Sequence, residues 1–290
     1  MKLVSFGPSG EERAGLLVGD QHIVDIGCVR PEWPSDLRGL IQQNLLPEIG
    51  GLADDAAALP PASIVRVDDV RLGPPIPDPP NVICLGLNYR DHAEESGMEP
   101  PPHPILFSKS SSAVTGPYDD IVIPEETDQI DYEAELAAVI GKRTRNIGAD
   151  LALTCVVGYM AFNDVSARDV QSEDKQWFRA KSFDTFAPCG PWLATSDEVP
   201  DPQALTIQAV RNGKVMQESD TSRMVFGVAD VISFISRGFT LQPGDIIATG
   251  TPAGVGFARK PPVFLRPGDV IEIKVDGVGG LRNPVVSSRA

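Results

Sequence analysis

The stretch Asp131-Tyr132-Glu133-Ala134-Glu135-Leu136-Ala137-Ala138-Val139-Ile140-Gly141 constrains the fold more than any other part of the chain. Its second half is apolar and β-branched and closes on Gly141, the pattern of a buried strand. Successive side chains on a strand point to opposite faces. Glu133 and Glu135 therefore share one face, with Ala134 and Leu136 on the other. Two carboxylates side by side repel, and burying them uncompensated costs several kcal/mol. The chain must either leave that face in water at a sheet edge or surround it with cations. With 40 acidic residues in the chain, the pair alone would favour the solvated edge.

Two further stretches favour cations. Val156-Val157-Gly158-Tyr159-Met160-Ala161-Phe162 is an apolar run that stops at Asn163-Asp164. The following Val165-Ser166-Ala167-Arg168-Asp169-Val170-Gln171 reads as the first turns of a helix with Ser166 as N-cap. Asp164 thus sits at a strand end, where loops display functional groups. Lys181-Ser182-Phe183-Asp184 then leads into a Pro/Gly-punctuated apolar segment. Three carboxylates and a lysine at element ends suit an oxygen-ligated hard cation held by Glu133, Glu135 and Asp164. With no neighbouring Cys or His pattern, Mg²⁺ or Mn²⁺ is expected, with Ca²⁺ as a further option, over Zn²⁺.

These motifs, together with Thr249-Gly250-Thr251-Pro252-Ala253-Gly254-Val255-Gly256, resemble the fumarylacetoacetate hydrolase family. The similarity runs from about Pro80 to the C-terminus, with the motifs in the expected order. The strand-rich pattern reads as a β-rich α+β fold with a small N-terminal α+β domain, and the resemblance further implies a mixed β-sandwich roll and a homodimer. The implied activity is metal-dependent hydrolysis of a C–C bond in a β-diketo acid of the acylpyruvate or 2,4-diketo type. Oxaloacetate decarboxylation and isomerisation of 2-hydroxyhepta-2,4-diene-1,7-dioate are the alternatives within the same chemistry. A metal-stabilised domain without catalysis is the reading from another class; it leaves His92 and Lys181 unexplained.

Asn88-Tyr89-Arg90-Asp91-His92-Ala93-Glu94-Glu95 follows an apolar run, and a helical turn there puts His92 and Glu95 on one face. A carboxylate beside an imidazole orients it as a base. The spacing alone also fits an exposed helix turn. The resemblance implies that His92 and Glu95 form a water-activating dyad on a segment that orders over substrate. Ser96 to Pro104, rich in Gly and Pro, would be its hinge. The resemblance also makes Arg168, Gln171 and Thr251 substrate-binding and Lys181 an enolate-stabilising residue. Arg168 could instead pair with Asp169 or Asp164. The glycines from 250 to 256 allow close backbone approach, but no phosphate-loop pattern is present.

The net charge of −15 argues against nucleic acid and against anionic membrane surfaces. No run is long enough to span a bilayer, and Met1 to Gly7 lacks a signal-peptide core. Cys84 and Cys155 lie in apolar runs and read as reduced core thiols. A cytoplasmic enzyme of a small keto acid is expected.

Short strands are expected at Lys2–Phe6, Ala14–Val18 and His22–Ile26, and a helix over Asp36–Leu46 capped by Ser35. A short helix over Ala53–Leu59 and a strand over Val65–Leu72 complete a small α+β unit, residues 1–72. Gly73 to Pro80 is a stiff Pro-rich connector. Residues 81–290 form the β-rich catalytic unit, with a hairpin at Asn212-Gly213 and a helix from Ser222 to Ser236.

Overall fold

The computed structural model describes residues 1–54 and 59–288. The helix expected over Ala53–Leu59 falls largely on residues 55–58, outside the described residues. At the centre lies the Ala134–Ile140 strand, buried along its whole length. Its alanines and β-branched residues suit a position covered on both faces. It pairs antiparallel with Val156–Asn163 on one side and with Ile246–Ala248 on the other. Ile246–Ala248 runs parallel to Val82–Gly86, which pairs with Ile105–Lys109 at one edge. On the opposite flank, Val156–Asn163 pairs with Ala187–Thr195, and that strand pairs with Lys2–Phe6. Arg13–Val18, His22–Asp25 and Ile64–Arg66 extend the same sheet. The sheet therefore continues across the Pro-rich connector.

A second sheet holds Lys214–Asp220, Thr206–Arg211, Val270–Val275, Gly279–Ser287 and Ile121–Ile123, in that order. It packs on the first through Val156–Asn163 and Ala187–Thr195. The result is the expected β-rich α+β fold of mixed sheets. The Asn212-Gly213 hairpin is present, with both residues at positive φ as a two-residue turn of the right twist requires.

Several boundaries move for local reasons. Asp36, not Ser35, caps the Leu37–Gln42 helix, its carboxylate accepting from Gly39 N–H at 2.8 Å. Ala167, not Ser166, stands at the N-cap of the Arg168–Asp174 helix, because Ser166–Ala167 pairs as a short strand with Ile130–Asp131. The late helix is Val228–Gly238, displaced by a 3-10 turn at Thr221–Arg223. Its first N–H, on Val228, is taken by Gln203 Oε1. No helix among the described residues is long and apolar enough to cross a membrane.

Candidate metal and active site

Antiparallel pairing sets the start of Ala134–Ile140 beside the end of Val156–Asn163, with Ala134 opposite Asn163. Asp164 N–H donates to Glu133 C=O at 3.0 Å. Asn163 Oδ1 accepts from Glu133 N–H at 3.1 Å. Glu133, Glu135 and Asp164 are all buried, and one carboxylate oxygen from each lies within 4.8 Å of the others.

Cations surround this cluster. Lys181, the last residue of the Trp177–Lys181 helix, donates to Glu133 Oε2 at 2.9 Å and to Asp164 Oδ2 at 2.8 Å. Burial alone would lower its pKa, but Asp164 and Glu133 outweigh burial and hold it above the usual lysine value. Lys181 therefore stays an ammonium, with one of its three donors left over. Arg168 donates to Glu133 Oε1 at 2.6 Å, to Asp131 Oδ2 at 2.9 Å and to Gln171 Oε1 at 3.0 Å. It pairs with neither Asp169 nor Asp164. Burial opposes ionisation of Glu133, yet Lys181 and Arg168 hold its pKa well below the usual carboxylate range.

Two members of this network, Lys109 and Asp131, carry no signal in the sequence. Lys109, fully buried, donates to Asp164 Oδ1 at 2.5 Å and to Val165 C=O at 3.1 Å. Burial lowers its pKa despite the Asp164 carboxylate. Asp131 accepts from Arg168 and from the backbone N–H groups of Gly256 and Phe257, at 2.7 and 3.0 Å. Lys109 lies beside serines at the end of a short strand and reads as a surface residue. Asp131 has no visible partner until the fold brings Arg168 and Gly256 to it.

Glu135 is the odd carboxylate. Its Oε2 accepts from Gly250 N–H at 2.8 Å, but its Oε1 is buried with no partner. Burial, then Asp164, then Glu133 push its pKa well above the usual value. A buried carboxylate oxygen lacking a donor, facing two further carboxylates, is the place where a divalent cation fits. The donor set is all oxygen, which suits Mg²⁺, Mn²⁺ or Ca²⁺. Gly250 sits at φ 92°, and a Cβ there would lie 2.8 Å from Asn88 Cβ. Glycine at this position lets the backbone reach Glu135. At Gly256 a Cβ would lie 2.0 Å from Val263 O, so the Asp131 contact likewise needs glycine.

A cavity of about 490 Å³ opens onto the cluster, lined at its polar end by Glu133, Lys181, Arg168, Gln171 and Thr251. Leu85, Met98, Phe107, Trp177 and Phe257 form apolar wall. His92 lines it too, from the Arg90–Glu95 helix. Asn88 fixes that helix by donating to Thr249 C=O and Phe226 C=O. His92 Nδ1 is 3.6 Å from Glu95 Oε2 and has no hydrogen-bond partner. Both Glu95 oxygens accept from Gly254 N–H at 3.0 Å. Partial burial acts against ionisation of Glu95, but His92 and Gly254 N–H bring its pKa below the usual value. Thr251 Oγ1 donates to Ala134 C=O and accepts from Gln217 Nε2, so its hydroxyl is already engaged.

A curled mixed β-fold with a buried carboxylate–lysine cluster, opening on a cavity that holds a histidine, defines an enzyme site for a small molecule. Residues 81–286 match the family described as fumarylacetoacetate (FAA) hydrolase C-terminal, and the chain belongs to that family. An oxaloacetate tautomerase of Xenopus laevis, fahd2, mitochondrial, is 42% identical over 291 residues, covering 99% of this chain and 90% of that protein. A probable 2-hydroxyhepta-2,4-diene-1,7-dioate isomerase from Mycobacterium abscessus has a TM-score of 0.82 at 36% identity, covering 100% of both chains. A maleylpyruvate hydrolase from Sphingobium sp. SYK-6 has a TM-score of 0.82 at 32% identity, covering 99% of this chain and 100% of its own.

Proposed function

We propose that the chain is a divalent-cation-dependent enzyme acting on 2-oxo acids that carry an oxygen function at C4, and that it works through the substrate's enolate. The carrying observation is that His92, Lys181 and Glu133 line one cavity, and that Glu133 belongs to the buried carboxylate cluster in which a Glu135 oxygen has no partner. Glu133, Glu135 and Asp164 would hold Mg²⁺ or Mn²⁺, with Ca²⁺ as a third candidate. When bound, that cation supplies Lewis-acid polarisation of a keto oxygen.

The first reading is keto–enol tautomerisation of an oxaloacetate-like acid, the activity in the name of the Xenopus relative. His92 takes the C3 proton, and the spare Lys181 donor stabilises the charge that develops on the C2 oxygen. Returning a proton to that oxygen gives the enol; returning it to C3 gives the keto form. Arg168 keeps Glu133 ionised and oriented. Gln171 and the free donors of Arg168 would position the substrate, Thr251, whose hydroxyl is engaged, would only bound it as part of the cavity wall, and the apolar wall excludes water.

C–C hydrolysis of an acylpyruvate is the second reading, favoured by Glu95 lying 3.6 Å from His92. There His92, oriented by Glu95, deprotonates a water that attacks the C4 carbonyl. The C3–C4 bond breaks, and C3 leaves as an enolate that Lys181 stabilises. Oxaloacetate decarboxylation shares that enolate, and diene-dioate isomerisation proceeds through a related, extended dienolate. The protein is proposed to act in the cytoplasm as a homodimer. All four cysteines are free thiols, as a reducing compartment requires.

A panel of oxaloacetate, acylpyruvates and the diene dioate, followed by ultraviolet absorbance of the enol after chelation and metal add-back, tests the reading. Metal-dependent enol interconversion above the rate of metal alone is expected. No metal-dependent turnover of oxaloacetate or of an acylpyruvate would overturn it.

A further inference from the structure

We infer that Ser96 is a substrate-binding residue, its hydroxyl donating to the oxygen function at C4 of the bound 2-oxo acid. The inference rests on the enolate reading above and adds the residue that meets the substrate's far end.

Ser96 ends the Arg90–Glu95 helix as its C-cap, and its backbone N–H donates to His92 C=O. Residues four apart on a helix lie on one face, so Ser96 Oγ is carried one turn beyond the His92 ring. Both residues line the same cavity. Ser96 Oγ is buried and has no hydrogen-bond partner. Buried hydroxyls are nearly always paired, so one at a cavity wall that no protein group engages is free to pair with whatever fills the cavity.

The neighbouring polar groups are committed elsewhere. Glu95 is bound to Gly254 N–H, and Asp91 accepts from Ser219 Oγ and from His92 N–H. Thr251 is engaged by Ala134 C=O and Gln217. Of the eight buried side-chain atoms without partners among the described residues, only His92 Nδ1 and Ser96 Oγ belong to residues that line this cavity, while Glu135 Oε1 belongs to the carboxylate cluster. These two unsatisfied ends match a ligand with two oxygen functions. The C1 carboxylate and C2 keto oxygen go to the cation end, and the C4 oxygen goes to the helix end. A C4 ketone and a C4 carboxylate both accept from a serine hydroxyl. His92, one turn away, is then beside C3 and C4, where either reading needs its base.

The test is calorimetric binding to Mg²⁺-loaded wild type and Ser96→Ala. Three probes are used: oxalate, which has no C4, 3,3-difluorooxaloacetate, and 3,3-difluoro-2,4-dioxopentanoate. The difluoro compounds have no C3 proton to lose. Ser96→Ala should weaken at least one difluoro probe about 5–10-fold, the range for one lost hydrogen bond, and leave oxalate and Mg²⁺ affinity unchanged. The weakened probe identifies the C4 group as ketone or carboxylate. Equal losses for oxalate and the difluoro probes, or no loss for any, overturn the assignment while leaving the enolate reading intact. Failure of wild type to bind any probe with Mg²⁺ overturns the enolate reading and this assignment with it.

Discussion

Replacing Glu135 by glutamine separates the two states of the carboxylate cluster. Without a cation, Glu135 is the group whose charge the site least tolerates, since burial, Asp164 and Glu133 all act against it. Glutamine keeps an oxygen for Gly250 N–H and puts an amide donor where Oε1 has no partner. Glu135→Gln should therefore fold normally, with an unfolding midpoint equal to or above wild type in chelator. The cation-loaded comparison reverses. At a free cation concentration of 100 times Kd, a site gains about 2.7 kcal/mol of stability. For a chain of this size, that is a Tm rise of roughly 5 °C. Glu135→Gln loses a charged ligand and should show about 1 °C or less at the same Mg²⁺ or Mn²⁺ concentration. Thermal denaturation with and without chelator reads both effects. A full cation-induced rise in Glu135→Gln would place the cation elsewhere. A fall of several degrees in chelator would mean that an ionised Glu135 stabilises the cation-free fold, contrary to the electrostatics.

Three further outcomes follow from the contacts. Lys181→Met should cost about 3–5 kcal/mol of cation-free stability, because Glu133 and Asp164 lose a buried partner; urea unfolding should show cations restoring part of the stability, while turnover stays about 10²–10³-fold down. His92→Ala should lower tautomerisation and acylpyruvate cleavage by about 10²–10⁴-fold at saturating substrate and spare oxaloacetate decarboxylation, which needs no proton abstraction. Asp119→Asn should destabilise by about 1–3 kcal/mol at neutral pH, since Asp119 accepts two hydrogen bonds from Arg71 at 2.5 and 2.9 Å. Although burial opposes it, Arg71 lowers the Asp119 pKa in the folded state, so its stabilisation is full above the unfolded value, near pH 4, and fades as pH falls through the lower folded value. Unfolding curves at pH 7 and pH 3 should show that gap closing.

The Arg71–Asp119 pair also links segments on either side of the Pro-rich connector, as does the pairing of Lys2–Phe6 with Ala187–Thr195. Such long-range pairing was not legible in the chain, because β-strands choose partners by packing rather than by sequence separation. Strand existence was legible where alternation or an apolar run was strong, as in Ala134–Ile140 and Val156–Asn163. Gly279–Ser287 was not foreseen, since Gly279, Gly280 and Pro284 mask its period. The three carboxylates stood out because apolar strands have little reason to carry acids. The groups around them are less visible: Lys181 stands out as a cation of the site, but Lys109 and Asp131 gain their meaning from partners 55 and 37 residues away. The family motif marks Arg168 as a substrate residue, and the fold adds that its guanidinium holds Glu133.

The central claim is that this cavity forms an enolate with the help of a cation. Proton NMR of oxaloacetate in D₂O, with the enzyme loaded with Mg²⁺ or Mn²⁺, follows the C3 protons directly. Their signal should wash out faster than in a blank of the same metal without protein, stop gaining from the enzyme when chelator is added, and recover on metal add-back. Washout no faster than the metal blank, in an enzyme shown to be folded and metal-loaded, would contradict the claim.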